Sequence, residues 1–324
     1  MVASPEQRVG QSLRGKYVLE RLLGVGAMAA VYEARHRNGG RFAVKILHDG
    51  IATNADLRTR FLREGYIANR IDHPGVVRIL DDDVDEQTGS AFIVMELLDG
   101  MTVEAEWSAA GKRLPVGRVT HVASLVLEVL EAAHGAGVVH RDIKPDNVFA
   151  LPSGAIKVLD FGIARLMDAS RNATGSGAMM GTPEFASPEQ AGGRTGEVGP
   201  RSDVYSVGAM MFTLLSGRYV HEGRTSTETM IFAATRPARS LFDVMPDADA
   251  KLANVVDVAT AYEIERRWQS APLMRRALAT VATVPIRTIT ERPPGRHPTP
   301  RMVPATRTAV MEDADAIPLV PKKK

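Results

Sequence analysis

Three polar side chains that could act together on a phosphoryl group lie near the middle of the chain. Asp142 and Asn147 belong to a polar loop at residues 140–147, and Asp160 follows in a second short polar motif. Both motifs are flanked by short apolar runs, which are typical of buried strands. A phosphoryl-transfer centre requires one carboxylate to orient and deprotonate a hydroxyl, and an amide and a second carboxylate to hold magnesium. Asp142, Asn147 and Asp160 could fill these roles in that order.

A lysine lies upstream, inside the apolar run at residues 41–47, for which the alternation predicts a strand. Burial of a lysine is costly unless the charge is paired. The candidate partner of Lys45 is Glu64, on a helix predicted over residues 56–70. Together the two side chains could clamp the α- and β-phosphates of a nucleotide. Alternatively, Lys45 could simply point outward from an edge strand.

A glycine-rich segment precedes this lysine. Gly24 and Gly26 lie between two strand-like runs, residues 17–23 and 31–34, so the pattern predicts a hairpin turn. Glycines punctuate many hairpins, and the motif is therefore weak by itself. A dinucleotide fingerprint needs a helix after the turn, whereas a hairpin favours a cradle for a nucleoside triphosphate. Ala29 stands where a third glycine is usual.

The remaining pattern supplies the elements that must position these groups. In chain order we predict a strand at 76–80, an acidic turn at 81–86, a strand at 91–98, a connector at Asp99-Gly100, a helix at 119–133, a mobile loop at 167–180 and a buried helix at 203–217. Thr53 or Asn54 could cap the helix that carries Glu64. We interpret His134 as a packed or capping residue rather than a ligand.

The composition is that of an ordinary soluble globular protein. Of 324 residues, 24% are charged and 44% hydrophobic, and the net charge of +2 gives no support for a nucleic-acid partner. The lack of cysteine excludes disulfides and thiolate sites and fits a reducing cytosol. No apolar run approaches the roughly 18 residues of a membrane helix. We therefore expect a cytoplasmic protein without a membrane span, with a flexible leader at residues 1–15 and a Pro/Thr/Arg-rich disordered tail at 280–324.

The ordered set of motifs resembles the eukaryotic-like serine/threonine protein kinases of bacteria. The motifs that carry the resemblance are GVGAMAAV at 24–31, AVK at 43–45, Glu64, HRDIKPDN at 140–147, DFG at 160–162 and GTPEFASPEQ at 181–190. The resemblance implies an α+β bilobal fold. A small β-rich N-lobe with one main helix is expected at about 16–98, and a larger helical C-lobe at about 99–279.

The resemblance also implies a role for each matching residue. Asp142 resembles the base that accepts the substrate hydroxyl proton, and Lys144 the lysine that serine/threonine kinases keep near the γ-phosphate. Asn147 and Asp160 are expected to hold Mg²⁺, with Mn²⁺ as an alternative, and Lys45 to be fixed by Glu64 beside ATP. The residues expected around ATP are Leu23, Gly24, Val25, Gly26, Val31, Ala43, Lys45, Met95 as gatekeeper, Glu96, Leu98 and Phe149.

The activation segment is expected between the DFG motif and Glu189. By resemblance, Thr182 bonds the catalytic loop and Glu189 pairs with Arg267. We expect autophosphorylation at Thr174, Ser176 or Ser170, with self-association as its route, because a phosphate can order a loop against an arginine. Ser187 replaces the usual alanine before Pro188. Neither this change nor Ala29 removes a catalytic group.

Three functions are compatible with these motifs. The first is an active kinase that transfers the γ-phosphate of ATP to serine or threonine of protein substrates. The second is an ATP-binding pseudokinase scaffold, but Lys45, Asp142 and Asp160 are all present. The third is a small-molecule phosphotransferase, a class that generally lacks the segment at 181–190. The sequence therefore predicts an active protein serine/threonine kinase.

Overall fold

Six antiparallel strands form the sheet that carries the glycine hairpin and Lys45. The structure, a computed structural model, describes residues 4–52, 54–161 and 183–281. The strand order across the sheet is β1, β2, β3, β4, β6, β5. The strands are β1 (Ser12–Leu13), β2 (Tyr17–Val25), β3 (Ala29–His36), β4 (Arg41–Leu47), β5 (Ile79–Val84) and β6 (Ala91–Glu96). Since β2 pairs antiparallel with β3, the predicted strand–turn–strand arrangement of the glycines is confirmed.

The N-terminal residues belong to this sheet. We expected a flexible leader over residues 1–15, but Pro5–Arg8 forms a 3-10 turn and β1 pairs with β2. Leu13 is only 1% exposed. The expectation was wrong for these residues because their apolar side chains, Val9 and Leu13, are isolated among polar ones, and the order of the segment comes from partners elsewhere in the chain.

The acidic run at 81–86 is another correction. We expected a turn there, and a strand at 76–80; instead β5 begins at Ile79 and continues through Asp81, Asp82 and Asp83 to Val84. This strand is at the edge of the sheet and pairs on one side with β6. Aspartate is disfavoured in strands in general, but charged side chains are common on edge strands, where they discourage pairing with other chains.

Two helices follow β4. Helix α1 (Asp49–Ala52) is short, and α2 (Ala55–Ala68) packs Phe61 against Leu47 and Ile93 on one face of the sheet. The Asn54 side chain accepts the backbone N–H groups at the start of α2, which confirms it as the N-cap; Thr53 lies outside the described residues.

The second lobe is helical. Its helices are α3 (Val103–Ala109), α4 (Val116–Gly135), α5 (Pro188–Ala191), α6 (Pro200–Ser216), α7 (Ser226–Thr235), α8 (Leu241–Val244), α9 (Ala250–Ala259) and α10 (Ala271–Leu278). Every residue of α6 from Ser202 to Ser216 is buried, so the predicted buried helix is confirmed. Within the described ranges, no helix is long and apolar enough to cross a membrane.

A small sheet of three short strands supports the loop at residues 140–147. It consists of β7 (Met101–Thr102), β8 (Val148–Ala150) and β9 (Ile156–Val158), in that order. The polar loop at residues 140–147 leads into β8, and Asp160 follows β9 closely. Because β8 and β9 pair antiparallel, the two polar motifs are brought to the same end of this sheet.

Candidate active site

A buried carboxylate on α6 holds the loop at residues 140–147 in place. Asp203 is fully buried. It accepts the backbone N–H of His140 at 2.9 Å and that of Arg141 at 2.7 Å, and it lies 2.8 Å from Nε2 of His134. Arg141 has a φ of +71°, a left-handed conformation that is strained for a residue other than glycine. The bonds to Asp203 stabilise this conformation.

His140 joins the loop to the second polar motif. Its Nε2 lies 2.8 Å from the carbonyl oxygen of Leu159, and its Nδ1 accepts the backbone N–H of Asp142 at 3.2 Å. Its ring also contacts the ring of Phe161 edge-on, with centroids 4.5 Å apart. The position of Asp142 is thereby coupled to that of Asp160, which lies between Leu159 and Phe161.

Two neighbours hold the Asp142 side chain. Nδ2 of Asn147 donates to the carbonyl oxygen of Asp142 at 2.8 Å and to its Oδ2 at 2.9 Å. Nζ of Lys144 lies 2.9 Å from the same Oδ2. Because both contacts involve Oδ2, Oδ1 is the oxygen left to accept a proton from a substrate hydroxyl.

Lys45 and Asp160 form an ion pair between the two lobes. Nζ of Lys45 donates to Oδ1 of Asp160 at 2.7 Å, and Lys45 is only 7% exposed. Lys45 therefore does not point outward from an edge strand, and β4 lies between β3 and β6 in the sheet. Glu64 lies in α2, and its side chain is outside the described part of the structure.

Asn147 and Asp160 have donor atoms that suit a hard divalent cation. Nδ2 of Asn147 is bonded to Asp142 and Oδ1 of Asp160 to Lys45, so Oδ1 of Asn147 and Oδ2 of Asp160 are the atoms left as ligands. The backbone N–H of Leu159 donates to the carbonyl oxygen of Asn147 at 2.9 Å, which keeps the two residues close. Mg²⁺ binds few protein oxygens and completes its shell with water or phosphate. This pair fits such an ion.

The residues expected around ATP lie on both lobes. Strand pairing sets Val31 opposite Lys45 and Ala43 opposite Met95. Met95 lines a small cavity together with Lys45 and Asp160, which agrees with a place at the back of the nucleotide site. The other expected residues are distributed as follows: Leu23, Gly24, Val25 and Gly26 are exposed at the hairpin, Glu96 and Leu98 are half-buried at the end of β6 and beyond, and Phe149 is half-buried in β8.

Glu189 lies in a buried polar cluster of the second lobe. Its carboxylate binds the guanidinium of Arg267 through two bonds of 2.8 Å, and both side chains are completely buried. Ser202 donates a further bond to Glu189 at 2.6 Å. Of the other activation-segment predictions, Thr182, Thr174, Ser176 and Ser170 lie outside the described residues.

Comparison with known proteins decides the family. The profile of the protein kinase domain matches residues 17–277. The chain belongs to the protein kinase family. Its bilobal α+β fold is shared with the PknI kinase domain of Mycobacterium tuberculosis, whose crystal structure covers 84% of this chain and 98% of its own at a TM-score of 0.65 and 27% identity. The resemblance and the fold predicted from the motifs are thus confirmed.

Curated kinases of bacteria are also similar to this chain. The serine/threonine-protein kinase Pkn1 of Myxococcus xanthus is 38% identical over 269 residues, which cover 82% of this chain and 38% of Pkn1. The probable serine/threonine-protein kinase SCO3848 of Streptomyces coelicolor is 38% identical, over 81% of this chain and 39% of its own length. PknA of Mycobacterium tuberculosis is 32% identical, over 93% of this chain and 70% of PknA. The chain thus spans about two-fifths of the length of the first two relatives.

Two residues that position the catalytic loop of this kinase domain were missed from the sequence. The first is Asp203. It could have been recognised as an aspartate in a helix that is mostly apolar, because a buried carboxylate needs polar partners. The second is Gln190, whose side chain donates to the carbonyl oxygen of Arg141 at 2.7 Å. A glutamine on an exposed-looking segment gives no comparable signal.

Proposed function

We propose that this chain is an active protein kinase that transfers the γ-phosphate of ATP to serine and threonine hydroxyls of protein substrates. One observation carries the proposal. The Asp142 carboxylate is held by Asn147 and Lys144, and the ion pair of Lys45 with Asp160 completes the set of groups that this chemistry requires. Retention of all five residues disfavours a pseudokinase scaffold.

Each residue has a defined task in this proposal. Asp142 orients the acceptor hydroxyl and accepts its proton, while Lys144 balances the charge of that carboxylate and reaches toward the γ-phosphate position. Lys45 binds phosphate oxygens, and the backbone beyond Glu96 reads adenine. Asn147 and Asp160 hold Mg²⁺, which when bound neutralises negative charge on the phosphates.

A phosphotransfer assay tests the proposal. The full chain is incubated with γ-labelled ATP and a generic basic protein, and Lys45→Met and Asp142→Asn are compared with the unchanged chain. Loss of the base should lower the rate by roughly 10²–10⁴-fold, and label should appear on serine and threonine. Lys251→Met, which removes an exposed lysine on α9, is the matched control and should leave the rate unchanged. The proposal is wrong if the unchanged chain binds ATP but labels neither itself nor the substrate.

We also propose that the chain phosphorylates its own activation segment, at Thr174, Ser176 or Ser170, through self-association. Arg141, next to the catalytic aspartate, is the expected partner of the phosphate. Phosphopeptide mapping of the active protein should find phosphate at one of these positions, and none in Asp142→Asn. A fully active protein with an unmodified segment would contradict this.

The cysteine-free composition agrees with a cytoplasmic location, which we propose as well.

A further inference from the structure

The N-terminal residues contact both strands of the glycine hairpin. We define residues 4–14 as the N-terminal strap. On β2, the backbone N–H of Gly10 donates to the carbonyl oxygen of Leu19 at 2.8 Å, and the N–H of Leu19 donates to that of Gln11 at 2.9 Å. On β3, the buried Tyr32 hydroxyl donates to the carbonyl oxygen of Pro5 at 2.8 Å. The strap is therefore bound to the strand before the hairpin turn and to the strand after it.

A third contact uses a buried arginine. Arg8 is only 7% exposed; its guanidinium forms an ion pair with Asp49, at the start of α1, and donates to Oγ of Ser90 at 3.1 Å. An arginine that is this deeply buried depends on its partners, because an unpaired buried charge is strongly destabilising. Arg8 thus fixes the position of Asp49.

The residue before Asp49 reaches the hairpin turn itself. The backbone N–H of His48 donates to the carbonyl oxygen of Met28 at 2.9 Å, and Nε2 of its ring lies 2.9 Å from the carbonyl oxygen of Gly26. A carbonyl oxygen can only accept, so Nε2 carries the proton in this contact. Arg8, Asp49, His48 and Gly26 therefore form a continuous chain of contacts from the strap to the turn.

A cavity of about 300 Å³ lies between the strap and the turn end of the hairpin. Pro5 and Arg8 line it on the strap side, and Val25 and Ala30 on the hairpin side. Side chains on the two walls of a cavity do not press on each other, so packing contributes little to the position of the turn. The strap bonds directly to the strands that flank the turn, and the polar contacts through Asp49 and His48 extend from the strap to the turn itself.

We propose that the N-terminal strap positions the phosphate-binding hairpin, through the Arg8–Asp49 ion pair and the His48–Gly26 hydrogen bond. This inference rests on the proposed function, in which the hairpin at Gly24 and Gly26 binds the phosphates of ATP. A hairpin turn that is already held in its binding conformation loses less freedom when the nucleotide binds. The strap therefore acts on ATP affinity and not on the proton transfer at Asp142.

Steady-state kinetics and nucleotide binding of the full chain test the inference. Arg8→Gln and His48→Phe each remove one link. Each should raise the KM for ATP and the Kd of a fluorescent ATP analogue about three- to tenfold, the effect of one hydrogen bond. The kcat at saturating ATP and the KM for the protein substrate should stay within about twofold of the unchanged chain. His48→Gln, whose amide can donate in place of Nε2, should restore ATP affinity.

Arg14→Gln is the matched control on the same strap. Arg14 pairs with Asp83 and Glu86, neither of which belongs to the contacts that run from Arg8 to Gly26, so its loss should leave the KM for ATP unchanged. The inference is overturned if Arg8→Gln leaves ATP affinity unchanged, if Arg14→Gln weakens it equally, or if His48→Gln behaves like His48→Phe. Failure of the proposed function looks different, because the unchanged chain would then bind the ATP analogue but transfer no phosphate to itself or to the substrate.

Discussion

The carboxylate of Asp203 accepts the backbone N–H of Arg141 at 2.7 Å, and Arg141 has a φ of +71°. A left-handed conformation costs a non-glycine residue about 1–3 kcal/mol. Hydrogen bonds offset this cost, because the backbone N–H groups of two successive residues, His140 and Arg141, both donate to the buried carboxylate of Asp203. The loop that carries Asp142 is thus attached directly to α6, whose residues from Ser202 to Ser216 are all buried.

We predict that Asp203→Asn weakens both the fold and catalysis. An amide has one oxygen, so it cannot accept the same three contacts, and its N–H₂ group would face the backbone donors. The free energy of unfolding should fall by about 2–4 kcal/mol, and kcat by about 10- to 100-fold because Asp142 is displaced. Urea unfolding and steady-state kinetics measure the two effects.

Asp257→Asn is the control for this prediction. Asp257 accepts the Ser240 hydroxyl and the backbone N–H of Leu241 at the start of α8, away from the catalytic loop. Its replacement should cost about 1–2 kcal/mol with kcat unchanged. Equal losses of kcat in the two variants would show that Asp203 acts only through global stability.

Gly100 gives a second prediction. It has a φ of +138°, and a Cβ there would lie 2.1 Å from the carbonyl oxygen of Ala150. Gly100→Ala therefore has to displace the backbone of β8, and we expect a loss of at least about 3 kcal/mol in the free energy of unfolding. Gly154→Ala is the matched comparison, since Gly154 has a φ of +87° but open space around it. It should lose only about 1–2 kcal/mol, and similar losses in both would contradict the steric explanation.

The residues of the candidate site could be singled out from the sequence because they lie in short motifs whose residue types indicate a chemistry. The loop at 140–147 and the motif at Asp160 each combine polar residues with flanking apolar strands, and the strand of Lys45 was predicted with its observed bounds, Arg41–Leu47. Local information was sufficient for these elements.

The parts that could not be predicted depend on distant partners. The strap is ordered by Arg8, whose partners Asp49 and Ser90 are 41 and 82 residues away. Strand β5 exists because β6 supplies its backbone hydrogen bonds, which outweighs the poor strand propensity of Asp81 and its neighbours. No local pattern encodes either relationship.

A third prediction concerns pH and His221, one of the buried histidines of the C-lobe. Burial lowers the pKa of His221 to about 4, and the charges of Arg239 and Arg236 add to this effect. Between pH 6.5 and pH 4, His221 binds a proton in the unfolded chain but not in the folded protein. The contribution of neutral His221 to the free energy of unfolding is therefore complete above pH 6.5 and is lost as the pH falls toward 4.

His221→Gln should remove this dependence. We expect the fall in unfolding free energy between pH 6.5 and pH 4 to be smaller by on the order of 1–3 kcal/mol in this variant. His121→Gln, at an exposed position of α4, should keep the slope of the unchanged protein. Urea unfolding at several pH values measures both, and identical slopes in all three proteins would contradict the prediction.

The buried pair of Glu189 and Arg267 gives the last prediction. Burial by itself raises the pKa of Glu189, but the hydrogen bonds and charge of Arg267 and the bond from Ser202 outweigh it and lower the pKa to about 2. Because the folded pKa is below the ordinary 4.5, this contribution to stability is present above pH 4.5 and is lost as the pH falls toward 2. Arg267→Met leaves a buried carboxylate unpaired and should cost about 3–5 kcal/mol at neutral pH.

The double variant Glu189→Leu with Arg267→Met removes both charges, and so distinguishes the loss of the ion pair from the cost of leaving one buried charge unpaired. It should recover much of the stability that Arg267→Met loses, since no buried charge is left unpaired. Arg194→Met, which breaks the exposed pair with Glu197, should change the unfolding free energy by less than about 1 kcal/mol. Urea unfolding at neutral pH compares the three variants. If Arg267→Met lowers the free energy of unfolding no more than Arg194→Met does, the buried pair does not stabilise the packing of α5 on the rest of the C-lobe.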